Sequence, residues 1–183
     1  MSDASQNVTS SVEPKSSAPN APGAAFMISR EFDAPRELVW KAWTERERLM
    51  QWFGPKGFAM PVAALDLRPG GAFHYCLRSA GGAEMWGKFV YREIVPPERI
   101  VLVSSFSDQH GGVVRAPFAA TWPLEMLSTT TLTETAGRTT VTQAALALNA
   151  SPEERQTFDA SHDSMRMGWT GTFDQLGEYL AKA

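Results

Sequence analysis

The stretch SPEERQTFDASHDSMRMGWTGTFDQLGEYL, residues 151–180, decides the fold. It opens with three helix-start signals. Ser151 can accept a hydrogen bond from an orphan backbone N–H, Pro152 suits the first helical position, and Glu154 can complete a capping box. Phe158, His162, Met165, Trp169, Phe173, Leu176 and Leu180 then recur every three or four residues. That spacing puts them on one side and predicts a single amphipathic helix of more than about twenty residues. A stripe this long and this aromatic needs a sheet to cover it. Gly168 and Gly171 interrupt it, each costing about 1 kcal/mol relative to Ala. Close approach of the helix to a sheet, or a kink, accounts for them.

Upstream, the signals from Phe58 to Leu148 are for strands. Phe58 to Leu67 ends at the turn Pro69-Gly70-Gly71. Phe73, Tyr75 and Leu77 alternate with His74, Cys76 and Arg78, so one face is aromatic and the other polar. Gly81-Gly82 marks a turn before Trp86 to Ile94, which Pro96-Pro97 ends. Ile100 to Phe106 is β-branched, residues 107–121 read as a long loop, and Pro123–Thr133 with Thr139–Leu148 form a hairpin around Ala136-Gly137. Before all of these, Phe26 to Phe32 alternates as a strand. Two short helices follow: one capped by Asp33 and carrying Leu38, Val39, Ala42 and Trp43, the other opened by a Thr44–Glu47 capping box and stopped at Gly54-Pro55-Lys56-Gly57. The predicted order is strand, two short helices, about six strands and a long C-terminal helix, an α+β arrangement.

The whole chain has 183 residues, 43% hydrophobic and 20% charged, with a net charge of -3. A folded core is expected, and the absence of a basic surplus argues against nucleic acid as a partner. No apolar run is long enough to span a bilayer, so no membrane is expected either. One cysteine, Cys76, allows neither an intrachain disulfide nor a paired-cysteine zinc site. A cytoplasmic setting fits these features. Residues 1–24 hold six Ser, three Pro and four Ala, with Met1, Val8 and Val12 as their only larger apolar residues. Such a segment buries too little to offset its ordering entropy, so a disordered tail is expected ahead of one domain spanning residues 25–183.

The element order, taken with particular motifs, resembles the START-like (SRPBCC) superfamily and its helix-grip fold, shared with the birch pollen allergen. The motifs are Ala34-Pro-Arg-Glu-Leu-Val-Trp-Lys-Ala-Trp43, Trp52-Phe-Gly-Pro55, Pro69-Gly-Gly71, Tyr91-Arg-Glu-Ile-Val-Pro-Pro-Glu-Arg99 and Gly168-Trp169. Within the superfamily the chain is similar to the branch related to the activator of heat shock protein 90 ATPase. The resemblance covers about residues 26–182. It implies a curved antiparallel sheet wrapped around the C-terminal helix, with a cavity between them. Members include ligand carriers, cyclase-like and hydroxylating enzymes, and co-chaperone domains.

The cavity candidates are Trp43, Trp52, Phe73, Tyr75, Trp86, His162, Met165, Trp169 and Phe173, with Trp40 among the neighbouring aromatics. Bulky aromatics serve equally well as core or as walls for a flat apolar ligand. His162, on the helix stripe, is expected to face the sheet, either as a buried hydrogen-bonded histidine that needs no function or as an imidazole that anchors a ligand or transfers a proton. It forms no triad with Asp163 and Ser164, because helix neighbours point apart. His74 and Cys76 share the face opposite the aromatics and are too few for zinc, so no metal site is expected. In the 107–121 loop, Arg115 either meets an acidic ligand at the cavity mouth or forms an incidental ion pair within a solvated loop. No phosphate loop, zinc-protease or nucleophile-elbow motif is present. The leading expectation is a small-molecule binding module for an apolar or aromatic ligand, without a cofactor. The alternatives are a cyclase- or hydrolase-like enzyme and a co-chaperone-like interaction domain, with a chaperone or a second copy as partner.

Overall fold

Antiparallel pairing builds one sheet in the computed structural model, which describes residues 23–183. The elements are β1 (Phe26–Phe32), α1 (Arg36–Thr44), α2 (Arg46–Trp52), β2 (Phe58–Leu65), β3 (Ala72–Ser79), β4 (Glu84–Val95), β5 (Arg99–Ser107), β6 (Val113–Val114), β7 (Glu125–Thr135), β8 (Arg138–Leu148), α3 (Pro152–Ala160) and α4 (His162–Leu180). Strand order is β1-β8-β7-β5-β4-β3-β2, with β6 added beside β5. The first strand thus pairs with the last, placing Phe26 opposite Ala145 and Phe32 opposite Thr139. The helix-grip expectation holds. The strand the sequence reading lacked is β6, two residues inside the 107–121 loop. The predicted tail lies outside the described residues, apart from its last two.

Alternation fixes the faces. Phe73, Tyr75 and Leu77 stand opposite Phe89, Gly87 and Met85 on β4, and opposed residues share a face. This is the concave face, and α4 and the two short helices cover it. The main core joins Phe32, Val39, Trp43, Leu49, Trp52, Phe73, Leu77, Phe173 and Leu176. A smaller cluster of Phe26, Trp122 and Phe158 lies at the other end, under α3 and the long loop. Hydrogen bonds lock the short helices to α4: Thr172 Oγ1 donates to the Gly54 carbonyl at 3.3 Å, and Gln175 Nε2 donates to the same oxygen. On the sheet's outer edge, β2 carries Pro61 inside a register shift between Ala59 and Val62.

Three local expectations need correction. The long helix is two helices, broken at Ser161, whose backbone takes φ -95° and ψ 1°. Its start is as expected, with a complete capping box between Ser151 and Glu154. Asp33 does not cap α1; Pro35 occupies that position, and the Arg36 backbone N–H donates to Glu134 Oε2 at 2.7 Å. Thr44 does not cap α2. It is still the last residue of α1, so its hydroxyl donates back to the Trp40 carbonyl at 2.8 Å.

Candidate functional site

Between the concave face and α4 lies a cavity of about 180 Å³. The α1 side supplies Trp43, the residue after α2 supplies Phe53, and α4 supplies Met165 and Trp169. Trp43 and Trp169 lie nearly parallel, with ring centroids 6.3 Å apart at 19°. On the sheet side, Tyr75 and Phe89 meet the edge of Phe53 at 5.5 and 5.7 Å. Gly87 makes this wall possible. A Cβ there would come within 2.5 Å of Tyr75 Cζ and Oη, so the ring lies across the glycine where no other residue leaves room. Burial raises the Tyr75 phenol well above its ordinary range, with a smaller push from Tyr91, so it is protonated at neutral pH.

Across this aromatic enclosure runs a file of small polar side chains from the three central strands. Ser104, Ser128, Thr130 and Gln143 all line the cavity, and each is at least nine-tenths buried. Ser104 and Ser128 hydroxyls are 3.2 Å apart, and Ser104 Oγ also reaches the Met126 carbonyl at 3.4 Å. Thr130 Oγ1 donates to Gln143 Oε1 at 2.6 Å. Among the described residues, no aspartate, glutamate, lysine, arginine or histidine lines the cavity. The arrangement can hold a neutral molecule and orient it through hydrogen bonds. It lacks a side chain that exchanges protons near neutral pH.

Of the residues singled out from sequence, Trp43, Tyr75, Trp86, Met165 and Trp169 line the cavity. Trp52 does not. It is core, donating from Nε1 to the Ala42 carbonyl at 2.9 Å with its ring edge-on to Trp43. Phe73, stacked 4.9 Å from Tyr75, and Phe173, wedged between Phe32 and Trp169, are fully buried packing residues behind the wall. Trp86 borders the cavity, but its register partner is Cys76, so its ring lies on the other face, stacked 5.1 Å from His74. His162 does not reach the cavity. Its ring is held between Phe26 and Phe158, with centroids 5.7 and 5.2 Å away. Its Nε2 has no hydrogen-bond partner among the described residues and lies 4.0 Å from Asp159. The break at Ser161 resets the helical phase and turns this position toward the smaller cluster.

His74 Nε2 lies 3.1 Å from the Asp108 carbonyl, and Cys76 is fully buried although it is on the convex side. Among the described residues, no three His, Cys, Asp or Glu side chains converge as metal ligands would. Arg115 is not free to meet a ligand. It pairs with Glu154 of α3 and donates to the Trp122 carbonyl at 3.1 Å. The residues the sequence reading missed are Phe53, Phe89 and the polar file. A signal for the file was available. Alternation puts Ser128 and Thr130 with Leu132, and Gln143 with Val141 and Ala145, as polar members of otherwise apolar faces.

Comparison with solved structures places this arrangement among known folds. A protein from Nitrosomonas europaea is 26% identical, with a TM-score of 0.69 over 86% of this chain and 94% of its own. One from Arthrobacter aurescens is 23% identical, with a TM-score of 0.71 over 87% of each chain. The AHSA1 protein from Silicibacter pomeroyi is 19% identical, with a TM-score of 0.66 over 86% of this chain and 98% of its own. These last two likenesses show the fold alone. A search among curated proteins finds no match. The family described as "Activator of Hsp90 ATPase homolog 1-like protein" matches residues 33–181, nearly the whole described chain, and the protein belongs to that family.

Proposed function

We propose that the protein is a small-molecule binding module whose ligand occupies the cavity between the sheet and α4. Membership of the family points to a ligand-binding or co-chaperone-like module. The observation that carries the finer reading is the space of about 180 Å³ walled by Trp43, Phe53, Tyr75, Phe89 and Trp169. Interiors are normally packed with few voids larger than a water molecule, so an aromatic-lined space of this size is a place for a ligand. The enzyme alternative needs two convergent groups able to move a proton. The lining offers the Tyr75 phenol, held protonated, and no acid, imidazole or thiol beside it.

Native mass spectrometry of the protein purified under mild conditions tests the reading. The expected result is a co-purified molecule of low mass that is lost on denaturation. Apolar probes should also change the fluorescence of Trp43 and Trp169 saturably. Absence of both effects, together with stimulated ATP hydrolysis by a purified chaperone, would favour the co-chaperone reading that the family name carries.

A further inference from the structure

We infer that the cavity selects a neutral one-ring or two-ring molecule carrying a carbonyl-type acceptor, which Gln143 Nε2 holds. The inference rests on the ligand-binding reading above and specifies what that ligand is. Three observations converge on it. The first is size. A cavity of ~150 Å³ in a comparable apolar interior encloses one benzene. A space of about 180 Å³ therefore seats a single substituted ring or a compact bicycle. The near-parallel Trp43 and Trp169 rings favour a flat body.

The second is charge. With no ionised side chain in the lining among the described residues, a carboxylate or ammonium would lose its hydration without a counter-charge. The third is the direction of the hydrogen bonds. If Ser104 donates to the Met126 carbonyl, Ser128 donates to Ser104, and both hydroxyl protons are used within the protein. Thr130 gives its proton to Gln143 Oε1. Gln143 is 4% exposed, and its Nε2 donates to no protein group among the described residues. A buried amide with two unused donors at a cavity wall calls for an acceptor. The complement is a ketone, aldehyde, ester, lactone or quinone oxygen on an otherwise apolar ring.

Three probes matched in shape test this: cumene, acetophenone and benzoate. Each is titrated into the full-length protein and followed by tryptophan fluorescence and calorimetry. Cumene and acetophenone are expected to bind. Benzoate is expected to bind more than about 100-fold more weakly than acetophenone. Gln143→Met keeps the side-chain length and removes the donor. It should weaken acetophenone by about fivefold to tenfold while leaving cumene unchanged or tighter, the usual net worth of one hydrogen bond. The wild-type protein supplies a readout that needs no variant. The carbonyl stretch of bound acetophenone should lie below its value in hexane.

Cumene binding with an unshifted carbonyl stretch, or with equal losses for both probes in Gln143→Met, would overturn the inference and leave the binding reading standing. Benzoate binding as tightly as acetophenone would do the same. Failure of both cumene and acetophenone to bind would overturn the cavity reading itself.

Discussion

Replacing Gly87 by Ala tests whether the space bordered by Tyr75 is the binding site. The added Cβ would stand 2.5 Å from Tyr75 Cζ and Oη and 2.9 Å from Cε2. Ordinary carbon contacts lie at about 3.5–4.0 Å, so the ring must withdraw by about 1 Å or more. It has somewhere to go, because Tyr75 borders about 180 Å³ of unfilled space. Overpacking usually costs about 1–3 kcal/mol, and the available room puts this case at the lower end. Alanine also restricts the unfolded chain, which returns about 0.4–1 kcal/mol. The net loss should be no more than about 2 kcal/mol, or a fall in Tm of up to about 8 °C for a chain of this size. The displaced ring and the new methyl meanwhile occupy ligand volume. Cumene affinity should therefore fall by more than about tenfold, a loss out of proportion to the change in stability. Circular dichroism melts and fluorescence titration measure the two effects side by side. Adding Tyr75→Phe should recover part of both, since Oη makes one of the two closest contacts. Unchanged cumene affinity in Gly87→Ala would refute the assignment of this cavity as the site.

Other expectations follow from the same geometry. Trp169→Ala should cost about 2–3 kcal/mol in urea unfolding, less than Phe173→Ala at about 3–5 kcal/mol, because Trp169 faces the cavity while Phe173 is fully packed; the reverse order would mean that the cavity is filled by protein in solution. The Arg115 guanidinium, helped by the Ser151 backbone N–H, holds Glu154 below its ordinary value of 4.5. A depressed carboxylate stabilises the fold above that value and ceases to do so as pH falls through the folded value. The stability difference between wild type and Glu154→Gln, measured by denaturant titration, should therefore be largest at neutral pH and shrink as pH falls below 4.5. Burial, followed by the nearby Glu84 carboxylate, pushes the Cys76 thiol up. Labelling by a disulfide reagent at pH 8 should thus be slow in the native protein and accelerate with urea in step with global unfolding; rapid labelling without denaturant would show that the convex side opens locally.

How far the sequence carried each of these features depends on what each one physically requires. Phe73-Tyr75-Leu77 needed only period-two alternation, and Ser151-Pro152-Glu154 only local capping chemistry. Both were legible because neighbours in sequence determine them. The break at Ser161 was not. Its hydroxyl donates to the Thr157 carbonyl as a helical serine would, so no local signal marks it. The break accompanies Phe158 seated against Trp122 and His162 against Phe26, contacts between residues far apart in the chain. With the phase reset, the stripe that ran through His162 no longer pointed where a continuous helix would aim it. Trp86 borders the cavity as expected, but the pairing of Gly87 with Tyr75 assigns its ring to the opposite face, which only the register reveals. The polar file was written in the alternation of β7 and β8, but only the register brings Thr130 beside Gln143.

Pro61 has a consequence for how copies of this chain meet one another. β2 is the outermost strand on its side of the sheet, and it exposes Phe58 and Val62. A long, flat, apolar border of this kind is a template on which another extended chain can grow. Pro61 presents no N–H, and the shift between Ala59 and Val62 puts the flanking hydrogen-bonding groups out of step. An incoming strand therefore meets an interrupted ladder in the middle of β2 and gains only short stretches of pairing on either side. The apolar rim of the sheet thus offers a growing ladder only short footholds, because of one imino acid.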